Sequence, residues 1–310
     1  MSLKNTYYEI AIAKAKKQSV IVDPLLEEAP ILAGIPMEPT SDGLFNTYEE
    51  QTEVTGADLV DFDGALPEIN STTTLKQVGL SSIGGTIKVG QDKARAYPGG
   101  VAAYFNSKLR PIMKATGNGL EKAIFYNSFR AFAATNSNLL DGGGSGSTNY
   151  TIMCVRYSSQ EINGLYDPNG FGNGKMFDIV KINGGNVYED SNGRLIYGTA
   201  IKSYFGMQLA NSKYVSGIVN CDIANDDPTG TRTFPTPDQI DEMIMNARGG
   251  ANTVIYCHPK VLTKLGQYKS DKLVITGGEK GYDSRIVTWN AIPIVTSWNL
   301  LDGTEAKVTV

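Results

Sequence analysis

From Asn46 to Gly90 the sequence favours strands but supplies little for them to bury. Thr47, Tyr48, Thr52 and Val54 favour strand, as do Thr72 to Thr74, Val78, Ile83, Thr86, Ile87 and Val89. Their alternation puts charges or hydroxyls on much of both faces. A two-stranded hairpin alone is marginal in water. This one is therefore either disordered or laid on another molecule. Its tip, Thr55 to Asn70, is acidic and holds Gly56, Gly64 and Pro67. A long projecting hairpin of this kind is a binding device more often than a catalytic one.

The stretch from Gly100 to Asn127 is the opposite case. Val101, Phe105, Leu109, Ile112, Leu120 and Ile124 fall mostly three or four apart, which lines one helix face. Lys108, Arg110, Lys114, Glu121 and Lys122 take other faces, where water or a partner reaches them. Pro111 removes a backbone bond and clashes one turn back, so a kink or a helix start is expected there. Gly117 and Gly119 weaken the same helix.

Charge divides the chain into blocks. Residues 1–17 carry Lys4, Lys14, Lys16 and Lys17 against Glu9. From Gln18 to Leu75 there is no Lys or Arg but there are twelve acids, among them Glu49, Glu50, Glu53, Asp58, Asp61 and Asp63. From Lys76 to Ala133 nine basic residues face only Asp92 and Glu121. One block docking on the other, on a neighbouring copy, would steer encounter and fix register, and would weaken with salt. The alternative is that both are solvated faces. The net charge of −4 argues against general nucleic-acid affinity.

The 310 residues suffice for one large domain or two modest ones. No apolar run approaches the ~20 residues of a membrane span. The N-terminus, MSLKNTYYEIAIAKAKKQ, lacks the apolar core and cleavage site of a secretory signal. Short helices are expected over 3–17 and from Asp23-Pro24 to about Leu32, followed by an extended arm broken by Gly34, Pro36 and Pro39. Tyr150 to Tyr157, apolar on both faces, reads as a central strand. A hairpin is expected around Ser191-Asn-Gly193, between Asn186–Glu189 and Leu195–Ile201, and further strands run on to about Ile223 with a turn near Asn211-Ser212. Thr236-Pro237 starts a helix that Gly249-Gly250 ends. Thr253 to Cys257 is a buried strand and Pro259 to Tyr268 a helix. Ile286–Trp289 and Ile292–Thr296 are strands turned at Asn290, and KVTV at the C-terminus is a last strand.

Several residues invite an enzymatic reading and none sustains it. Cys257 and His258 are adjacent on a strand, so they point to opposite faces and cannot act as nucleophile and base for each other. His258 is the sole histidine. Cys154, Cys221 and Cys257 show no metal spacing and read as buried reduced thiols, which suits assembly in a reducing cytoplasm. The loop from Asp167 to Lys175 has the glycines of a phosphate cradle but not the order G-x-x-x-x-G-K-[ST]. Asp167 and Asn169 offer too few oxygens for Ca²⁺. No catalytic, metal or cofactor site is expected.

The order of parts resembles the major capsid proteins of tailed bacteriophages with the Hong Kong-type fold, and within them the family of epsilon-fifteen-like podophages. PILAGIPMEPTSDGLFNTYE is similar to the family's N-terminal arm. LEKAIFYNSF, followed by NLLDGGGSGSTNYTIMCVRY, is similar to its passage from long helix through a glycine turn into a hydrophobic strand. GLYDPNGFGNG, EDSNGRLIYGTAIKSYFGMQLANSKYVSGIVNCDI, TVIYCHPKVLTKL and WNAIPIVTSWNLLDGTEAKV resemble its loop, long hairpin, last strand–helix pair and C-terminal strand.

The resemblance implies an α+β fold. Residues 1–45 would be the N-arm and 46–90 the E-loop. Residues 91–127 and about 175–222 would form a peripheral domain containing the spine helix, and about 128–174 and 223–310 an axial domain. It further implies hexamers and pentamers of an icosahedral shell around double-stranded DNA, built in the host cytoplasm. A separate scaffolding protein and a portal are implied, and a decoration protein is compatible with it. The shell reading makes Glu49, Glu50, Glu53, Asp58, Asp61 and Asp63 one side of an intersubunit contact, with Lys108, Arg110, Lys114 and Lys122 as candidate partners. An encapsulin, which encloses protein cargo, shares the fold. A β-rich virion attachment or carbohydrate-binding protein is the alternative of another class.

Overall fold

The computed structural model describes residues 29–62, 64–168, 178–227, 230, 232–267, 273–276 and 286–310. The helix expected over 3–17, and the start of the one expected from Asp23, lie outside them. Within them, a short helix α1 spans Pro30–Gly34, followed by a three-residue strand, β1 (Met37–Pro39). Among the described residues, strands β2 (Phe45–Val54) and β3 (Ser71–Gly79) form a two-stranded sheet of their own, from Phe45 opposite Gly79 to Val54 opposite Ser71. Strand β4 (Ser81–Gly90) follows with only Leu80 between. Then come α2 (Gln91–Ala96) and the long helix α3 (Gly100–Ala123).

Helix α3 enters through Gly99 and Gly100, both at positive φ, which glycine adopts without the steric penalty of a Cβ. It runs unbroken through Pro111. A helix start at Pro111, one of the two outcomes the sequence pattern allows, is therefore not what forms. The proline costs one backbone bond, but packing holds both ends. Near the entry, Tyr104 lies against Val89 and Ala94. At the far end the helix widens to π pitch over Ile124–Arg130 and closes as α4 (Ala131–Thr135). The π turn buries Ile124, Phe125, Tyr126 and Phe129. Between Tyr104 and Glu121 no residue of the helix is fully buried.

Two larger sheets take the rest. Strands β5 (Leu139–Asp141), β6 (Asn149–Arg156), β7 (Ile162–Tyr166), β8 (Asp178–Lys181), β9 (Tyr188–Glu189), β10 (Leu195–Leu209) and β11 (Val215–Asp222) are followed by helix α5 (Pro237–Asn246), β12 (Thr253–Cys257), helix α6 (Pro259–Leu265) and strands β13 (Leu273–Thr276), β14 (Ile286–Trp289) and β15 (Ile292–Thr296). The fifteen residues of β10 organise one sheet. One edge holds β4 over ten residues, from Phe205 opposite Ser81 to Ile196 opposite Gly90. The other edge holds β9, β8 and β7 in turn, with β1 beyond β7.

The second sheet runs β13-β14-β15-β12-β6-β11-β5. As expected, β6 is central and buried. Its successive side chains serve opposite faces. Met153 and Val155 join the π turn in one core. Ile152 and Cys154 join Met243 of α5, Val261 of α6 and Trp289 in the other. Helix α5 starts on a capping box between Thr236 and Gln239. Asn290 and Ala291 turn the last hairpin at positive φ.

Two expectations fail for a clear reason. The terminal KVTV is not a strand. Instead the Asn220 side chain accepts from Val308 N (2.8 Å) and donates to Val308 O (2.8 Å), standing in for a ladder partner. Glu121, expected on an accessible face, is fully buried. Its carboxyl accepts from the backbone N–H of Ile31 (3.0 Å) and Leu32 (3.3 Å), from Ser297 Oγ and from Asn299 Nδ2 (3.2 Å). It thus joins α1, α3 and the C-terminal segment. The backbone N–H groups of Ile31 and Leu32 are obligate donors, so that side of the carboxyl needs an acceptor. Glu121→Ala should lower the unfolding free energy by about 3–5 kcal/mol, because buried donors lose their partner. Glu121→Gln should cost clearly less, since its amide oxygen still accepts from Ile31 and Leu32 while its N–H₂ donates to Ser297 Oγ. Urea unfolding of the variants measures both, and an alanine variant no less stable than the glutamine variant would refute this account.

Candidate functional site

The β2–β3 hairpin is bonded at its base to the body. Leu80 N donates to Leu44 O (2.9 Å), and Asn46 Nδ2 donates to Gln208 Oε1. Thr47, Tyr48 and Glu50 are still half-buried, and from Gln51 to Gln77 the described residues of the arms are exposed. The ladder shifts register between Gln51 and Glu53, a bulge that bends the arm. Thr55 N donates to Asn70 O (2.8 Å) and Gly64 N to Asp61 O (2.9 Å), which close the tip. Of the predicted acids, Glu49, Glu53, Asp58 and Asp61 are exposed and Glu50 is half-buried. Asp63 lies outside the described residues. Glu50 is already engaged within the hairpin, in an ion pair with Lys76 of β3.

The predicted cations sit on α3. Arg110 and Lys122 are exposed, while Lys108 and Lys114 are half-buried. Lys108 lies over the Tyr104 ring at 5.8 Å, and Lys93 approaches the same ring at 5.9 Å, so part of this charge is held by the helix's own surroundings. The fold therefore groups the acids on one projection and the cations on one helix.

Reading charge alone missed the apolar side chains of the tip. Leu59 and Phe62 are fully exposed, and Leu66 and Ile69 are largely so. Nine of the sixteen large apolar side chains exposed among the described residues lie between Leu44 and Leu75. A patch of this kind marks an interaction surface. The signal was present in Leu59-Val60-Asp61-Phe62, where acids alternate with apolar residues.

The residues that suggested chemistry are built into the core. Cys154, Cys221 and Cys257 are buried free thiols, and burial pushes Cys154 and Cys257 up to about 12. Among the described residues no group of His, Cys, Asp and Glu is placed to hold a metal. His258 is buried and caps α6, its Nδ1 accepting from Lys260 N (3.2 Å). The Tyr150 and Trp298 rings flank it at 5.5 and 5.2 Å. Asp302 accepts from Tyr150 Oη (2.8 Å) and Lys260 Nζ (2.6 Å) beside it.

Burial holds His258 below its ordinary value; Lys260 adds to the effect and Asp302 opposes it. A depressed pKa means that the folded chain prefers the neutral ring. Its stabilisation is complete above the unfolded value of about 6.5 and is lost as pH falls through 6.5 toward the folded value. Between about pH 7.5 and about pH 5.5 the wild-type melting temperature should therefore fall more than that of His258→Asn, which keeps a capping acceptor but does not titrate. Equal losses in the two proteins would show that another group governs the change.

The model of the major capsid protein GP7 family matches residues 102–309, about two thirds of the chain. The chain belongs to this family. Among solved structures it is similar to that of bacteriophage Epsilon15, at 18% identity over 99% of this chain and 98% of that one, with a TM-score of 0.62. It is also similar to the capsid of bacteriophage JBD30, at 10% identity over 93% and 98% of the two chains, with a TM-score of 0.55. The holo-SrpI encapsulin complex from Synechococcus elongatus PCC 7942 is more distant, at 10% identity over 68% of this chain and 97% of that one, with a TM-score of 0.46. No curated protein sequence matches the chain. The expected α+β capsid fold is thus the fold of this GP7-family protein. A major capsid protein is a structural component of the virion, not an enzyme.

Proposed function

We propose that the chain assembles into hexamers and pentamers of an icosahedral shell that encloses double-stranded phage DNA. The observation that carries this reading is the β2–β3 hairpin. Its two strands form a sheet of their own, ten residues of β2 extend about 33 Å, and the described residues of the tip are exposed. Such an arm is unstable in isolation and is explained by neighbouring copies of the chain.

In this reading residues 1–45 are the N-arm and 46–90 the E-loop, although β4 is bonded into the β10 sheet and the projecting part is 45–79. Helix α3 and the β10 sheet form the peripheral domain. The seven-stranded sheet forms the axial domain. Because β11 belongs to the seven-stranded sheet, we place the return to the axial domain at the turn near Asn211. Glu49, Glu53, Asp58 and Asp61 face Lys108, Arg110, Lys114 and Lys122 of the next copy and steer its approach. Asp63 belongs with these acids by its position in the chain. A separate scaffolding protein, a portal and a decoration protein are proposed partners, with assembly in the host cytoplasm.

Electron microscopy of the protein expressed with its scaffolding partner tests this. Closed shells are expected. A monodisperse monomer or small oligomer in every condition would overturn the reading. Glu49→Lys with Glu53→Lys should leave a normally folded protein and reduce shell yield at least about tenfold, since ~1.4 kcal/mol per contact suffices for that. Normal yield would show these two acids to be merely solvated.

A further inference from the structure

We infer that strand β4 of one chain pairs edge to edge with β4 of a second copy, antiparallel and about a two-fold axis at Gly85. This contact is separate from the charge pairing of the shell reading. Strand β10 holds one side of β4 over ten residues in unbroken register. Among the described residues no strand takes the other side, and no backbone hydrogen bond beyond that ladder reaches β4. The opposite edge of the same sheet is divided among β1, β8 and β9, of three, four and two residues. A free edge is normally blunted by shortness, proline, a bulge or charge. From Ser81 to Ile87, β4 has no proline and no charged residue. Its outward N–H and C=O groups are a template for one more strand.

The faces of β4 limit the register. Side chains alternate along a strand. Ile83 packs on the core that holds the π turn, Ile87 lines a groove beside α3, and Val89 is buried with Tyr104. Ile83, Gly85, Ile87 and Val89 therefore share the helix-side face. Ser82, Gly84, Thr86 and Lys88 share the other and are exposed. A two-fold axis normal to the sheet keeps the helix-side faces of both copies on one side, so only residues of the same face lie opposite each other. Centring on Gly85 meets that condition. Gly85 then faces itself, Ile83 faces Ile87, and Ser82 faces Lys88. A Cβ at Gly85 would meet nothing within 4 Å, so the centre of the contact is open.

The occupant is a second copy because the edge is complementary to itself. Ile83 and Ile87 are half-buried in one chain, and in this register each gains an isoleucine of the other as an apolar cross-strand partner. Lys88, the one charged residue of β4, meets a serine and not another lysine. Centring on Gly84 or Thr86 would set an isoleucine against Gly85. The pairing closes after two copies and leaves no further edge to propagate.

Gly85→Cys tests the axis. Opposed residues of antiparallel strands have Cα atoms about 4.5–5.5 Å apart, within reach of a disulfide. Thr86→Cys is the control, since its two copies would lie about 8 Å apart in this register, beyond that reach. Assembled shells of each variant are oxidised with diamide, and the native thiols are buried. Gly85→Cys should then run as a covalent dimer without reductant, and Thr86→Cys as a monomer. No dimer from Gly85→Cys, or equal amounts from the two, would overturn the pairing. An independent measurement leaves Gly85 intact. Ser82→Lys sets like charges opposite each other across the axis, and Ser82→Glu sets opposite charges. At an unchanged melting temperature, shell yield should fall at least about twofold for the lysine variant and not for the glutamate variant. Equal yields would overturn the proposal. Wild-type protein that forms no shells would overturn the shell reading alone, because diamide oxidation of the concentrated cysteine variants in solution still decides the pairing.

Discussion

The buried carboxyl of Glu121 ties together parts of the chain that are far apart in sequence. It gathers the start of α1, the end of α3 and the segment after β15. A second buried carboxyl repeats the arrangement a turn later. Glu305 accepts from Tyr126 Oη (2.7 Å), from Arg130 Nη1 (3.2 Å) and from Thr151 Oγ1. Burial raises the Glu305 pKa, which these hydrogen bonds and Arg130 oppose. Both groups act at the same end of the helix. That end is thereby fixed to the seven-stranded sheet, where Phe129 stacks on Tyr256. A buried acceptor is costly unless every lone pair is used, so each carboxyl demands a specific arrangement of its donors.

The remainder of the helix is held differently. Its entry packs on a small cluster around Tyr104, and the middle is only half-buried. The chain thus has a rigid body, a lightly covered helix face and a projecting hairpin. That gradient from full burial to exposure suits a subunit whose remaining contacts come from identical neighbours. Such neighbours provide the same surfaces at every position in a ring.

Elements set by local chemistry were legible in the sequence. Thr236, Pro237 and Gln239 specify a helix start within four residues, and Asn290 specifies a hairpin turn. The apolar run Ile152–Val155 within β6 identified the central strand. What escaped depends on residues distant in the chain. Nothing near Glu121 announces that Ile31, Leu32, Ser297 and Asn299 converge on it, so helix periodicity alone placed it in water. The replacement of a terminal strand by the Asn220 amide depends on a register shift in β11. In the hairpin the acids were evident, but the cross-strand register that engages Glu50 with Lys76 was not. The apolar tip was overlooked because Leu59, Val60, Phe62 and Ile69 each sit next to an acid.

The π turn at Ile124–Arg130 has a consequence for how the protein's surface varies. A π turn accommodates one more residue than an α turn. It therefore sets the rotational phase between the buried end of the helix and the half-exposed length before it. Loss of a single residue there would rotate the upstream stripe by about 100° relative to the buried end. The face offered to an adjoining molecule is thus written by residue count at a point remote from that face. Sequences that diverge in this turn can present a new surface without altering one side chain on it.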